Sequence, residues 1–370
     1  MLKAEGTTTG KLVVFNGSDK PLELKEYKLQ SLRSGEILVK NRYTTLCGSD
    51  IHTFCGMRKE VCPTVLGHEI VGEIVQVAEG HSGKDKNGEI LKPGDLITWS
   101  IFSSNPSSAL AQQGIPQKSD RLFKYGHALI TEQDPFHGGL SEYCLVGPDT
   151  GVLKIPDGLP LPIAATLNCA AATVAGALRI AGEIKGKNIV VSGLGMLGIY
   201  CAAMCRNAGA NWIGATDVSE KRLQDGLRFG VDDVNKINSD EDSFRSLEQL
   251  KERFGKKDVD LFFDMSGAPE AMEMGLDILG IGGIAIWIGA VFNGRKLQID
   301  AEKVVRNLHT IRGLHNYNFD DFKYALHFLK ENWEKYPFNT VVEKEFDLVH
   351  AQQAFEYAVN HKSLRVGVRI

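Results

Sequence analysis

The hexapeptide GLGMLG at residues 193–198 constrains this chain most, because it follows an apolar run, NIVVS, and opens an apolar stretch with helical spacing, MLGIYCAAMC. Gly193 permits a tight turn, Gly195 lets the backbone approach a pyrophosphate, and Gly198 lets the helix pack close on the strand. A strand, turn and helix joined in this way begin a doubly wound α/β unit. The flanking sequence agrees: a helix is predicted over Ala170–Ala181, a strand over NWIGATD, and later buried strands over DLFFDMSG and GGIAIWIG. Ahead of Leu167 the pattern differs. Short alternating runs such as KLVVF, EILVKNRY, EIVGEIVQV and DLITWS, parted by Gly, Pro, Asn and Asp, predict a β-rich lobe. After Arg312 an amphipathic helix, FDDFKYALHFLKENW, is expected to lead into a strand-rich tail that completes that first lobe.

A chain of 370 residues with 43% hydrophobic content can bury two ordinary cores. Its formal charge of -4 is small, and no long block of like charges occurs, so nucleic acid and anionic membranes are poor partners and a small molecule is expected. The seven cysteines follow no disulfide spacing, which fits a reducing cytoplasm. The N-terminal MLKAEGTTTGKLVVF has no signal core, and the apolar stretches are read as broken before membrane-spanning length, so a soluble protein is expected.

Two constellations carry chemistry. In the first, Gly193, Leu194, Gly195, Met196, Leu197 and Gly198 form a phosphate cradle, and Asp217 closes the next strand, where a carboxylate can accept bonds from an adenosine ribose. That acid repels a 2′-phosphate and favours NAD; Arg222 leaves NADP open. In the second, Cys47, His68 and Cys169 offer two thiolates and an imidazole, a zinc set with a fourth position left for water or substrate. Glu69 is a candidate to tune that metal or to serve as an alternate ligand. Singly, a cysteine is usually a small hydrophobe and a histidine a satisfied core residue; their order just ahead of the glycine loop gives them weight.

With CGSDIH at 47–52, GHE at 67–69, Cys169 and the glycine loop, the chain resembles the zinc-dependent alcohol dehydrogenases of the medium-chain dehydrogenase/reductase superfamily over nearly its whole length. The resemblance implies an α/β protein with a GroES-like β-rich catalytic domain, residues 1–168 and 315–370, and a Rossmann doubly wound parallel-sheet domain, residues 169–314. It implies one catalytic Zn2+ per subunit on Cys47, His68 and Cys169 with Glu69 beside it, and Ser49 and His52 as the proton path. It further implies NAD, with Ile288, Gly289 and Ala290 facing the nicotinamide and Arg365 reaching the pyrophosphate. A homodimer or homotetramer is implied, joined through the GGIAIWIGAVFNG strand. One departure is plain. Where relatives place four structural-zinc cysteines, this chain has Asn105, Ser108, Ala111 and Ser119, so that lobe is expected to be held by other packing or to be mobile, with His127 or Cys144 as alternative ligands.

The substrate is expected to be a small alcohol. LFKYGHALITEQDPFHGGLSEY and RGLHNYNFDDF resemble a subgroup associated with phosphonate catabolism, which would need cationic or donor groups such as Arg58, Lys59, Lys124, His127 or His315. A polyol, a simple alcohol and threonine are the rival substrates, and an NAD-sensing protein is the rival outside enzymes.

Overall fold

The computed structural model describes residues 8–237, 243–291 and 294–370. The first seven residues of the N-terminal stretch, and Phe292 and Asn293 of the GGIAIWIGAVFNG stretch, lie outside these. The chain divides into two compact units, one of Met1–Cys169, Asn318–Glu334 and Phe338–Ile370, the other of Ala170–Tyr317 and Lys335–Pro337.

The first unit is built on a mixed sheet. Ile37–Thr45, Glu69–Val77 and Leu96–Ser103 run antiparallel in sequence order, and Tyr143–Val146 and Thr150–Lys154 add to them. The C-terminal strand Arg365–Arg369 pairs with the end of Ile37–Thr45, and Val342–Asp347 lies parallel outside it, so both ends of the sequence supply one sheet. Alternation of β-branched and polar residues makes these strands: in Ile37–Thr45, Ile37, Val39 and Tyr43 are buried. Trp99, Ile97, Val39, Ile70 and Val152 pack in one core cluster, and each fully buried aliphatic side chain stabilises by about 1.5–3 kcal/mol. The tail is less strand-rich than its sequence suggests. Ala351–His361 is a helix, because Ala351, Ala354, Phe355 and Ala358 recur at helical spacing and bury one stripe.

The second unit is a six-stranded parallel sheet in the order 233–236, 212–217, 188–192, 259–264, 279–287, 310–313. Strand order therefore reverses between Asn188–Ser192 and Val259–Asp264, and ligands of such sheets bind beyond the carboxyl ends of the strands at that reversal. Val190, Phe262 and Ala285 stand side by side in register and share one core cluster.

One reading of the apolar stretches changes. Leu161–Ala181 is long and apolar enough to cross a bilayer by length and composition, but 83% of its apolar window is buried inside the protein. Its hydrophobicity serves a core.

Candidate metal centre and nucleotide loop

Strand Ile37–Thr45 delivers Cys47 to the N-cap of a short helix, Gly48–Phe54. The Cys47 N–H donates to Asp50 Oδ2 at 3.0 Å, and the Gly67 N–H donates to Asp50 Oδ1 at 3.1 Å. Gly67 has φ +87°, a left-handed turn that directs His68 and Glu69 into the next strand. Cys169 sits in a π turn, Leu167–Ala171, whose wider winding is frequent at functional sites.

These segments bring the three predicted ligands together. The Cys47, His68 and Cys169 ligand atoms lie within 4.8 Å of one another, the one such group among the described residues. The two sulfurs are 4.0 Å apart, and Cys169 Sγ is 3.4 Å from His68 Nε2. Tetrahedral zinc with ordinary Zn–S and Zn–N bonds asks for separations of about 3.8 and 3.6 Å. The set fits.

Asp50 was not among the sequence candidates. Its fully buried carboxylate meets His68 Nδ1 at 3.2 Å, which fixes the tautomer and leaves Nε2 facing the sulfurs. Burial alone would raise the Asp50 pKa, but the His68 charge and hydrogen bond lower it. His68 is itself held well above the usual imidazole value: burial opposes this, and Asp50 and Cys47 outweigh it. Cys47 lies well below the usual thiol range, first because of the Cys169 hydrogen bond, with burial opposing and Arg365 and His68 adding. Cys169 is raised well above it by its hydrogen bond to Cys47 and by burial.

Glu69 and Arg365 form one buried pair. Arg365 Nε donates to Glu69 Oε2 at 2.6 Å and Nη2 donates to Oε1 at 2.7 Å, while Thr45 Oγ1 donates to Oε2 at 2.5 Å. Nη1 donates to the Leu364 carbonyl, and Nη2 also reaches Cys47 Sγ at 3.6 Å. Glu69 is thus committed to the guanidinium rather than placed as a ligand. Arg365 is 6% exposed, and each of its three nitrogens has a partner inside the first unit. Both charges are tolerated in burial because a bidentate pair replaces their water.

Ser49 and His52 stand one helical turn apart, on one face of the short helix, and both are half-buried. Burial lowers the His52 pKa, with Cys47 opposing and Arg58 adding, so the ring is a neutral base at physiological pH.

In the second unit, Gly193 has φ +87°, and a Cβ there would stand 3.0 Å from Ser266 backbone atoms. A Cβ on Gly198 would lie 1.9 Å from the Gly193 carbonyl oxygen. Around Gly195 nothing lies within 4 Å of a Cβ position, so the protein itself does not demand that glycine; a ligand approaching the backbone would. Gly195 caps the helix Met196–Asn207, whose first-turn amides have no acceptor within the helix and carry the positive end of its dipole. The site fits a pyrophosphate. Asp217 Oδ2 accepts from the Leu194 N–H at 2.7 Å and Oδ1 from the Ser219 N–H at 2.8 Å, which ties the loop to the end of the neighbouring strand. Arg222 follows in the helix Glu220–Arg228. The N–H groups of Ile288 and Gly289 are donated to the Asp264 carbonyl, and Ala290 is exposed.

The lobe lacking cysteines is tied by single hydrogen bonds. The Asn105 N–H donates to Ser119 Oγ at 3.1 Å, Asn105 Nδ2 donates to Asp120 Oδ1 at 3.1 Å, and the Asp120 N–H donates to Ser108 Oγ at 3.4 Å. Asn105, Ser108 and Ser119 thus hold the loop by polar contacts. Cys144 is fully buried in the core and offers no ligand there.

Of the residues considered for an anionic substrate, three gather beside the metal group. Glu60 Oε1 is 2.7 Å from Arg58 Nη2 and 3.1 Å from His127 Nδ1, and the His127 ring lies 5.0 Å from that of His68. Lys124 is half-buried; burial lowers its pKa first, then Lys118 and Arg58, with Glu60 opposing. Lys59 is exposed, and His315 belongs to the second unit.

Comparison with known proteins finds two domains. Residues 33–157 match the alcohol dehydrogenase GroES-like domain, and residues 196–331 match the zinc-binding dehydrogenase domain. L-threonine 3-dehydrogenase of Edwardsiella ictaluri is 28% identical over 297 residues, 79% of this chain and 80% of that protein. An alcohol dehydrogenase from Thermotoga maritima superposes with a TM-score of 0.90 at 24% identity, covering 98% of this chain and 99% of the other. A zinc-binding dehydrogenase from Sinorhizobium meliloti bound to NADP gives 0.84 at 18% identity, covering 98% and 100%. The two units are a GroES-like domain and a Rossmann domain, the architecture of a dehydrogenase. This chain belongs to the zinc-dependent medium-chain dehydrogenase/reductase superfamily.

Proposed function

We propose that this protein oxidises a small alcohol to an aldehyde or ketone with NAD as hydride acceptor, and that the alcohol carries a phosphonate or similar anion. The observation that carries the reaction class is the Cys47, His68 and Cys169 group, with Asp50 behind His68. These three residues would hold zinc, which when bound supplies Lewis acidity to the substrate oxygen. Asp50 orients His68. Arg365, forked onto Glu69, places positive charge beside the Cys47 thiolate and moderates the negative charge of the ligand set. The Ser49 hydroxyl passes the alcohol proton on and, after relay through the cofactor ribose, His52, whose pKa burial lowers, takes it as the outer base. The glycine loop and the first turn of its helix would seat the pyrophosphate, and Asp217 the adenosine ribose. The boundaries proposed for the catalytic and cofactor domains, the use of one zinc per subunit, a homo-oligomeric state and a reducing compartment for its seven free cysteines complete this reading.

The anionic substrate is supported by Lys124, a half-buried ammonium whose charged form is disfavoured by burial, Lys118 and Arg58, which an anion would relieve. NADH formation is to be measured with 2-hydroxyethylphosphonate, a neutral alcohol of equal length, a polyol and threonine. Preference for the phosphonate is expected. Lys124→Ala should then raise its KM about tenfold or more, the worth of a hydrogen bond to a charged group, and leave the neutral alcohol unchanged. Equal use of both alcohols, or threonine as the preferred substrate, removes the phosphonate and leaves the dehydrogenase standing.

Asp217→Asn tests the cofactor side. The NADP-to-NAD activity ratio should rise about tenfold or more as the charge facing a 2′-phosphate is lost, while total activity falls because the amide holds Leu194 and Ser219 less well. An unchanged ratio would mean the ribose contact lies elsewhere.

A further inference from the structure

A buried amide next to the ligand set in sequence closes that set into a ring. Asn168 is 1% exposed, and its Nδ2 donates to the carbonyl of His68 at 2.8 Å and to that of Trp99 at 2.7 Å. Carbonyl oxygens only accept, so the amide must present its NH2 group to both, and its rotamer is set by two bonds at once. The next residue in the chain is Cys169, whose Sγ lies 3.4 Å from the His68 ring. His68 and Cys169 are thereby joined twice: sulfur against imidazole on the pocket side, amide against carbonyl on the backbone side.

The opposite edge of His68 is fixed separately. Asp50 holds its ring and the N–H of the preceding residue, Gly67, while Asn168 holds its carbonyl, so the imidazole and the backbone on either side of it are each tied. Trp99 belongs to Leu96–Ser103, which pairs with the strand that starts at Glu69. One amide therefore fastens the π turn that carries a cysteine to two adjacent strands. A π turn has one more residue per loop than its neighbours demand, and without an anchor it can relax to α spacing and rotate its side chains.

We propose that Asn168 is a positioning residue for metal capture, setting the distance and angle between Cys169 and His68 before the ion arrives. The inference rests on the reading of Cys47, His68 and Cys169 as zinc ligands. Preorganised sites lose 10–100-fold in metal affinity when such outer partners are removed, and an effect of about that size is expected here.

The test uses the full chain as wild type, Asn168→Ala, Asn168→Ser and Asn168→Asp, with zinc affinity measured by chelator competition and the visible spectrum recorded after cobalt substitution. Wild type that binds no zinc would overturn the ligand reading itself, independently of Asn168. With wild type binding one ion, the alanine variant should bind about 10–100-fold more weakly and show altered cobalt bands. The serine variant, whose hydroxyl can serve one carbonyl, should fall between. The aspartate variant should be the weakest, because its oxygens face two carbonyls. A purely structural role would lower thermal stability in metal-free and metal-loaded protein alike, with affinity and cobalt bands kept; that result overturns the proposal. Should the alanine protein fail to fold, the serine protein decides by the same two readings.

Discussion

His68→Ala and Cys47→Ala each reduce alcohol oxidation to background and release the metal, while NAD binding, followed by fluorescence or calorimetry, stays near wild type. The expectation follows from where the residues lie. Both belong to the GroES-like domain, whereas the glycine loop and Asp217 belong to the other unit, so the nucleotide half is not disturbed by losing a ligand. Removing His68 also strands Asp50, a buried carboxylate that then keeps only backbone donors from Cys47 and Gly67. An uncompensated buried charge costs about 3–5 kcal/mol, so the His68 variant should melt lower than the Cys47 variant. Retained turnover in either would remove the zinc assignment.

The second large effect is expected at Gly198. A methyl group there would stand 1.9 Å from the Gly193 carbonyl oxygen, a backbone atom that cannot rotate away. Overpacking of this kind costs about 1–3 kcal/mol, and relief requires the loop to move away from the helix terminus it is built to cover. Gly198→Ala should weaken NAD binding tenfold or more. Gly195→Ala is the control with the opposite logic: its Cβ meets no protein atom, so the protein should fold and melt as wild type and lose affinity only through collision with the cofactor. If Gly195→Ala binds NAD normally, the pyrophosphate is not seated on that backbone.

What the sequence could disclose depended on whether an element was local. The glycine loop was legible because strand, turn and helix start adjoin in NIVVSGLGMLG, and a doubly wound unit followed from alternating strands and helices, whereas its edge strands Asp233–Lys236 and Thr310–Gly313 were not read from the sequence. Cys47, His68 and Cys169 were legible through their residue types and the motifs around them. Asp50 was printed within the same hexapeptide as Cys47, yet an aspartate early in a helix is usually a cap, and nothing local says that its other oxygen meets His68. The pairing of Arg365 with Glu69 was not legible for a physical reason: the two lie far apart in sequence, and only the pairing of Arg365–Arg369 with Ile37–Thr45 brings them together. Asn168 and the Asn105, Ser108 and Ser119 contacts belong to the same class. Single hydrogen bonds across folded segments leave no period and no spacing to find.

The late arrival of Arg365–Arg369 also orders events during synthesis. Tyr43, Thr44 and Thr45 leave the ribosome early, but the strand that covers them, and the guanidinium that neutralises Glu69, follow only after the whole nucleotide-binding unit has been made. At translation speeds of 5–20 residues per second that interval is roughly 15–60 s. Throughout it the nascent sheet has an open edge, and Glu69 lacks its guanidinium partner, whereas the contiguous core of the parallel unit can already close. The metal pocket is therefore among the last parts of the newborn chain to receive its full set of charged partners.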